Sequence, residues 1–309
     1  MASWLNDFEF RNGKILVKAT RVKIPVTGSL LKDIFSWVPF HLLEKAKSLK
    51  KSSHTKKPLS IAFTPTIPRP WYLITVCALR AQVNMTPTLV DADVIFYFED
   101  TTQAQPPHLT PEQKRKSLNF ECRDISKTKV GTVFESVFGY ALNVDPKTYK
   151  GRMAVKSETN GVHDGRETQG PITKQDGLSY QRLIDNTIDG LWVEDLRCPV
   201  IDGEIEVVFI KRRALSTRFA NTNANVTLHS PDDLLSHEER RKITLFAKAM
   251  GLDWGGMDIL RDKHDGKIYI VDVNKTDMGP PLALSLKDKN KAITILTDQF
   301  VRLVRSKMN

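Results

Sequence analysis

The chain has 309 residues, 40% hydrophobic and 27% charged, the balance of a globular protein large enough for two or three subdomains with sizeable cores. Its net charge of +10 is uneven, because residues 1–60 carry 12 Lys/Arg against 4 Asp/Glu, a local excess of +8. No apolar run approaches the roughly 20 residues that cross a bilayer. "MASWLNDFEF" lacks the apolar core of a secretory signal. The three distant cysteines, Cys77, Cys122 and Cys198, read as reduced core residues rather than a disulfide framework or a zinc site, so a cytoplasmic protein is expected.

In chain order, "GKILVKATRVKIPV" reads as a β-rich start and "SLLKDIFSWVPFHLLEKAK" as an amphipathic helix. Leu31, Ile34, Phe35 and Val38 fall at helical spacing, and the expectation is that this stripe packs on the protein. Residues 48–58 read as a flexible connector. The lysine-rich run "EKAKSLKKSSHTKK" is a solvated segment or a docking surface for an anionic partner. "LSIAFTP" is a strand, "WYLITVCALRAQ" a helix and "ADVIFYFED" a buried strand, which together predict a small α/β unit. "TTQAQPPHLTPEQ" reads as loop.

Beyond Asn119 the spacing predicts a helix in "DISKTKVGTVFESVFGY", opened by Asp124 or Ser126 and closed near Gly139. "MAVKSETNGVHDG" is a strand running into a glycine-containing loop. "SYQRLIDN" and "LWVEDLRCPVIDGEIEVVFIKRRA" read as strands, the latter turning at "DG". "SHEERRKITLFAKAMG" is a helix with a Ser236/Glu239 capping box, a C-terminal Gly251 and a buried stripe of Ile243, Phe246, Ala247 and Met250. A last helix carries Ile293, Leu296, Phe300 and Leu303.

The chemistry concentrates in "GLDWGGMDILRDKHDGKIYIVDVNKTDMGPP", a hairpin pattern with a polar turn closed by Gly266. Asp272 and Asn274 are two residues apart and share a strand face, and Asp258 can sit opposite them. Such hard oxygen ligands suit Mg²⁺ with phosphate oxygens. Lys156, at the end of an apolar strand and followed by Gly161 and Gly165, suits a phosphate contact. His163 in the same loop reads as an exposed residue. There is no GxxxxGK[ST] loop and no GxGxxG after a strand.

The order Lys127, Lys156, "YQRLI", "EDLR", "KRR", "RFANTN", capped helix and Asp…Asp-x-Asn hairpin resembles the ATP-grasp superfamily. The likeness is greatest to the branch of ribosomal-protein glutamate ligases and glutathione synthetases, over residues 120–285. The hairpin matches the family's "GxDIL…EVN"-like ending, with Asp272 where a glutamate is usual. The resemblance implies an α+β ATP-grasp fold, two α+β lobes clasping ATP, over 119–309. It also implies a small α/β pre-ATP-grasp domain over 58–118, preceded by a basic N-terminal segment, 1–57. Asp258, Asp272 and Asn274 would hold Mg²⁺. Lys127, with Lys129 as the alternative, and Lys156 would contact ATP, and Gln181, Arg182, Leu183 and Ile184 would form the adenine hinge. Asp195 would bind ribose. One of Lys211, Arg212 and Arg213, with Arg218, would clamp the γ-phosphate, and Asn221 or Asn223 would lie near the metal.

The implied activity is Mg-ATP-dependent activation of a carboxylate as an acyl-phosphate and its joining to an amine, on small-molecule or peptide substrates. A kinase acting on a hydroxyl, a non-catalytic ATP-binding module and an ATP-independent basic binding protein stay open as alternatives. No nucleic-acid partner is expected, while peripheral membrane contact through the basic segment and a homodimer stay open.

Overall fold

The computed structural model describes residues 8–18, 23–50, 59–105, 107–162, 164–220 and 223–308. The expected connector at 51–58, His163 and Asn221 lie outside the described residues. The chain opens on an antiparallel meander, β1 (Phe8–Arg11), β2 (Lys14–Val17) and β3 (Lys23–Pro25), followed by α1 (Gly28–Lys50). Asn12 and Gly13, both at positive φ, make the tight β1–β2 turn that this dipeptide favours. Helix α1 continues through residues 48–50, where a connector was expected. It docks through Phe40 and Glu44, both buried, and leaves Leu31, Ile34, Phe35 and Val38 exposed. This overturns the expectation that the stripe packs on the protein. Periodicity defines a face of a helix but not which face a buried ion pair pulls inward. Here Arg80 holds Glu44, its Nε donating to Oε2 at 2.6 Å.

The next unit contains β4 (Ser60–Pro65), α2 (Leu73–Ala81), β5 (Asn84–Thr86), β6 (Val94–Phe98), α3 (Pro111–Arg115) and β7 (Ser117–Leu118). Its strands form an all-parallel sheet in the order β5-β4-β6-β7, with β4 and β6 buried on both faces, which is why their sequences read as continuous apolar runs. Helix α3 interrupts the expected loop. Thr110 and Gln113 close a capping box there, a signal too short to register as periodicity.

The remainder is built on two antiparallel sheets. Helix α4 (Lys127–Phe138), capped by Ser126 and ended by Gly139, precedes β8 (Arg152–Ser157), β9 (Arg166–Gln169) and β10 (Leu178–Arg182), which pair in the order β10-β8-β9. Then come β11 (Thr187–Ile188), β12 (Trp192–Ile201), β13 (Val208–Ala214), β14 (Asn225–His229), α5 (His237–Met250), β15 (Trp254–Arg261), β16 (Ile268–Asn274) and α6 (Leu286–Ser306). The large sheet runs β14-β13-β12-β15-β16, with β11 pairing β12. One face carries Leu196, Cys198, Val200, Ile210, Met257 and Ile259 onto α4 and α5. Part of the other face, around Phe209 and Trp254, is covered by α6, which also packs on α2. The rest of that face is charged and looks toward the small sheet.

Asn119 ties the parallel unit to the large sheet. It is fully buried at positive φ; its Oδ1 accepts from the N–H groups of Asp253 and Trp254, each at 2.9 Å, and its Nδ2 donates to Trp254 O at 2.7 Å. All three cysteines are free and buried, and burial pushes the thiols of Cys77 and Cys122 up to about 12. Among the described residues no helix is long and apolar enough to cross a membrane. Asn119→Ala strands two buried N–H donors and removes the amide that lets asparagine tolerate a left-handed φ. It should cost about 3–5 kcal/mol, read as a lower urea midpoint; an unchanged midpoint would contradict this role.

Candidate active site

The charged face follows from strand alternation and register. Asp195 pairs with Lys211, Arg197 with Asp258, and Asp258 with Asp272, so these five side chains stand on one face of β12, β13, β15 and β16. Arg213 and Asn274 share it by the two-residue period, whereas Arg212 points away and pairs with Glu194 at 2.8 Å. A bulge between Asp258 and Ile259 shifts the β15–β16 register beside the two carboxylates, a common device for aiming side chains at a site.

Asp258 is the electrostatic centre. Its Oδ1 lies 3.2 Å from Lys211 Nζ and its Oδ2 lies 3.2 Å from Arg197 Nη1. Burial alone would raise its pKa, but Lys211 and Arg197 hold it well below the usual carboxylate range. Arg197 in turn reaches Asp277, Nη2 to Oδ1 at 2.5 Å. That pair exists because residue 256 is glycine. A Cβ there would stand 2.5 Å from Asp277 Oδ2 and 2.9 Å from Arg197 Cζ.

Asp272 is treated differently. Its Oδ1 is buried without a hydrogen-bond partner among the described residues, and the nearest cation is Lys127, with Nζ 3.9 Å away. Burial raises its pKa and the charge of Asp258 adds to this, while Lys127 opposes it. Lys127 is buried at the first turn of α4, whereas Lys129 is exposed and lies outside the cluster, so position separates the two candidates.

The small sheet supplies the opposite wall. Lys156 pairs with Ser179 and Ala154 with Gln181, so Lys156 and Gln181 share a face, with Lys156 Nζ donating to Gln181 Oε1 at 3.2 Å. Burial lowers the Lys156 pKa and Lys127 adds to this, while the charges of Asp272, Asp195 and Asp258 oppose it. Gln181 Nε2 is likewise buried without a partner among the described residues.

Several expected residues are placed elsewhere. Arg182 faces away from Lys156, with its guanidinium 5.1 Å from the Tyr269 ring centre and 3.7 Å from Asp262. Gln181 is therefore the side chain of the expected hinge that shares the Lys156 face. The N–H groups of Arg182 and Leu183 are engaged by Leu142 O and Arg152 O, at 2.9 and 3.0 Å, so that stretch would read a base through other atoms. Asp195 accepts from Asn186 Nδ2 at 2.9 Å and from Arg213, leaving each oxygen one further lone pair. Burial raises the Asp195 pKa, and Arg213 opposes the rise. The expected clamp does not converge: Lys211 sits on Asp258, while Arg218 donates to Ile184 O at 2.9 Å and Asn186 Oδ1 at 3.0 Å, at the hinge end. Asn274 Oδ1 accepts from Thr276 N at 3.0 Å and so turns toward its own loop. Asn223 Oδ1 is buried and, among the described residues, has no hydrogen-bond partner. The sequence reading missed Arg197. Its signal was present, since it lies two residues after Asp195 in the same strand and therefore on the same face.

Among the described residues no group of three His, Cys, Asp or Glu gathers as metal ligands. The pair Asp258 and Asp272 nevertheless fits a divalent cation that takes its remaining ligands from phosphate and water. Asp272 Oδ1, buried and unpartnered, is the kind of anionic oxygen such an ion would satisfy.

No model of a known protein family and no curated protein matches the chain. Solved structures do. The ATP-grasp ligase PsnB, complexed with a phosphomimetic variant of its minimal precursor, Mg and ADP, is similar with a TM-score of 0.50 at 12% identity, over 81% of this chain and 98% of that one. D-alanine–D-alanine ligase from Bacillus anthracis complexed with ATP gives 0.48 at 12% identity, over 82% and 97%. A RiPP-associated ATP-grasp ligase from Chryseobacterium gregarium with ADP and a leader and core peptide gives 0.47 at 10% identity, over 81% and 97%. The chain has the α+β ATP-grasp fold.

Gly256→Ala should displace Arg197 from Asp258 and Asp277, costing about 1–3 kcal/mol. A lower melting temperature checks this, and an unchanged melt would mean that the pair shifts freely.

Proposed function

We propose that the protein is a Mg-ATP-dependent ligase that activates a carboxylate as an acyl-phosphate and joins it to an amine. The observation that carries this reading is the pair Asp258/Asp272 on one sheet, facing Lys156 on the other, with Lys127, Lys211 and Arg197 around it. Two carboxylates among four cations in a half-buried cleft suit the meeting of two anions, a phosphoryl group and a carboxylate. The likeness of the hairpin to the glutamate ligase and glutathione synthetase branch supports an amide-forming reaction over other uses of the fold.

Asp258 and Asp272 would hold a magnesium ion, which when bound supplies charge neutralisation at the phosphate oxygens. Asn274 would join only by turning its amide oxygen from Thr276. Aspartate at 272 reaches less far than the usual glutamate, which favours single-oxygen ligation. Lys127 and Lys156 would bind phosphates from opposite walls. Lys211 and Arg197 hold Asp258 ionised and bring positive charge to where the γ-phosphoryl group is transferred. Gln181 Nε2 would donate to the base, Asp195 would accept from ribose hydroxyls, and Arg213 and Arg218 would position Asp195 and the hinge rather than clamp phosphate.

A cavity of about 610 Å³ lined by Thr102, Gln103, Asp124, Ser126, Thr128 and Lys129 adjoins the first turn of α4. It lies beyond the carboxyl end of β6, where open parallel sheets bind ligands, and is proposed to take part of the substrate.

The test is product identity over a panel of amino acids and peptides. ADP, inorganic phosphate and a new amide are expected, with the rate falling about 10²–10³-fold in Lys211→Met. AMP and pyrophosphate, or a phosphorylated alcohol without free phosphate, would overturn the assignment.

A further inference from the structure

The outward face of α1 has no role in the cleft. Leu31, Ile34, Phe35, Val38 and Leu42 recur at three- and four-residue spacing and form one stripe. They are exposed, Phe35 to 74% and Leu42 to 59%. The helix cannot roll to bury them, because the opposite side is pinned. Phe40 enters the core shared with α2 and α6, and Glu44 is 1% exposed and held by Arg80. Lys289 Nζ donates to Ser36 Oγ at 3.2 Å and Lys47 Nζ to Asn290 Oδ1 at 2.6 Å. Phe40 and Val38 are two residues apart, about 200° around a helix. The apolar stripe is therefore a second hydrophobic face of the helix, turned outward.

Charge selects the occupant. Residues 1–60 hold a net +8 of the chain's +10. A second copy would bring the same positive charge against itself, which disfavours a symmetric pairing through this face. An anionic surface is attracted instead, and a helix with an exposed stripe that includes Phe35 and Leu42, and with lysines in the same sequence segment, suits insertion along a lipid headgroup layer. We propose that α1 is a membrane-surface anchor that docks the protein on anionic lipid with its axis in the plane of the bilayer. This is independent of the chemistry in the cleft.

The experiment is co-sedimentation of the full chain with vesicles of phosphatidylserine and phosphatidylcholine in equal parts, and with phosphatidylcholine alone. Pelleting with the anionic vesicles is expected, reduced by raised salt and weakened at least about tenfold by Phe35→Glu/Leu42→Glu. Both positions are exposed, so the variant should melt at the wild-type temperature, and melting is measured in parallel. Failure of the wild type to pellet with either vesicle would overturn the proposal, as would pelleting indifferent to the double substitution in a variant that melts normally. Light scattering that shows a dimer split by the same substitution, without vesicle binding, would assign the stripe to a second copy.

Discussion

Everything in the cleft depends on the compensation of charge across one sheet face. Asp195, Arg197, Lys211, Asp258 and Asp272 are brought together by register, and charges of one sign at that density would not stay ionised away from water. Interleaving makes the arrangement tenable. Each of Asp258 and Asp195 has a cation on a neighbouring strand, and Arg197 bridges Asp258 to Asp277 through the space left by Gly256. Asp272 is the exception, with an oxygen that no donor among the described residues satisfies. An otherwise compensated network with one unmet anionic group is complete as a scaffold and incomplete as a site, which is the condition for binding a cation with its own ligands.

The same sheet is apolar on its reverse face, and that face fixes the geometry. Met257, Ile259, Leu196 and Ile210 pack on α4 and α5, so a register slip would expose a core and bury charges together. Helix α4 connects the two sides: Val130, Phe134 and Phe138 pack under the sheet, while Lys127 at its first turn reaches the cleft. Asn119 and α6 then fix the parallel unit against the sheet that carries the site.

Much of this was legible in the sequence where two-residue alternation and hairpin chemistry speak directly. Asp258 and Asp272 could be placed opposite one another, Lys156 at a strand end and α5 by its capping box, and the ATP-grasp fold followed from the order of these pieces. What was not legible depended on facing. Gln181 and Arg182 differ only in which side of β10 they occupy, and that is settled by pairing with β8. Arg218 was grouped with Lys211 by the resemblance, but the turn after β13 sends it to Ile184 and Asn186. The short polar strands β9 and β14 have little apolar pattern and exist because a neighbour offers hydrogen bonds. The outward stripe of α1 has the same periodicity as an inward one.

Calorimetric titration with ATP, with and without Mg²⁺, on the wild type and on Asp258→Ala/Asp272→Ala, tests the central claim most directly. The account predicts Mg-dependent binding that the double substitution weakens. No binding by a wild type shown to be folded, or binding equally strong in the double variant, would contradict it and leave the carboxylate pair as part of a sheet without a nucleotide.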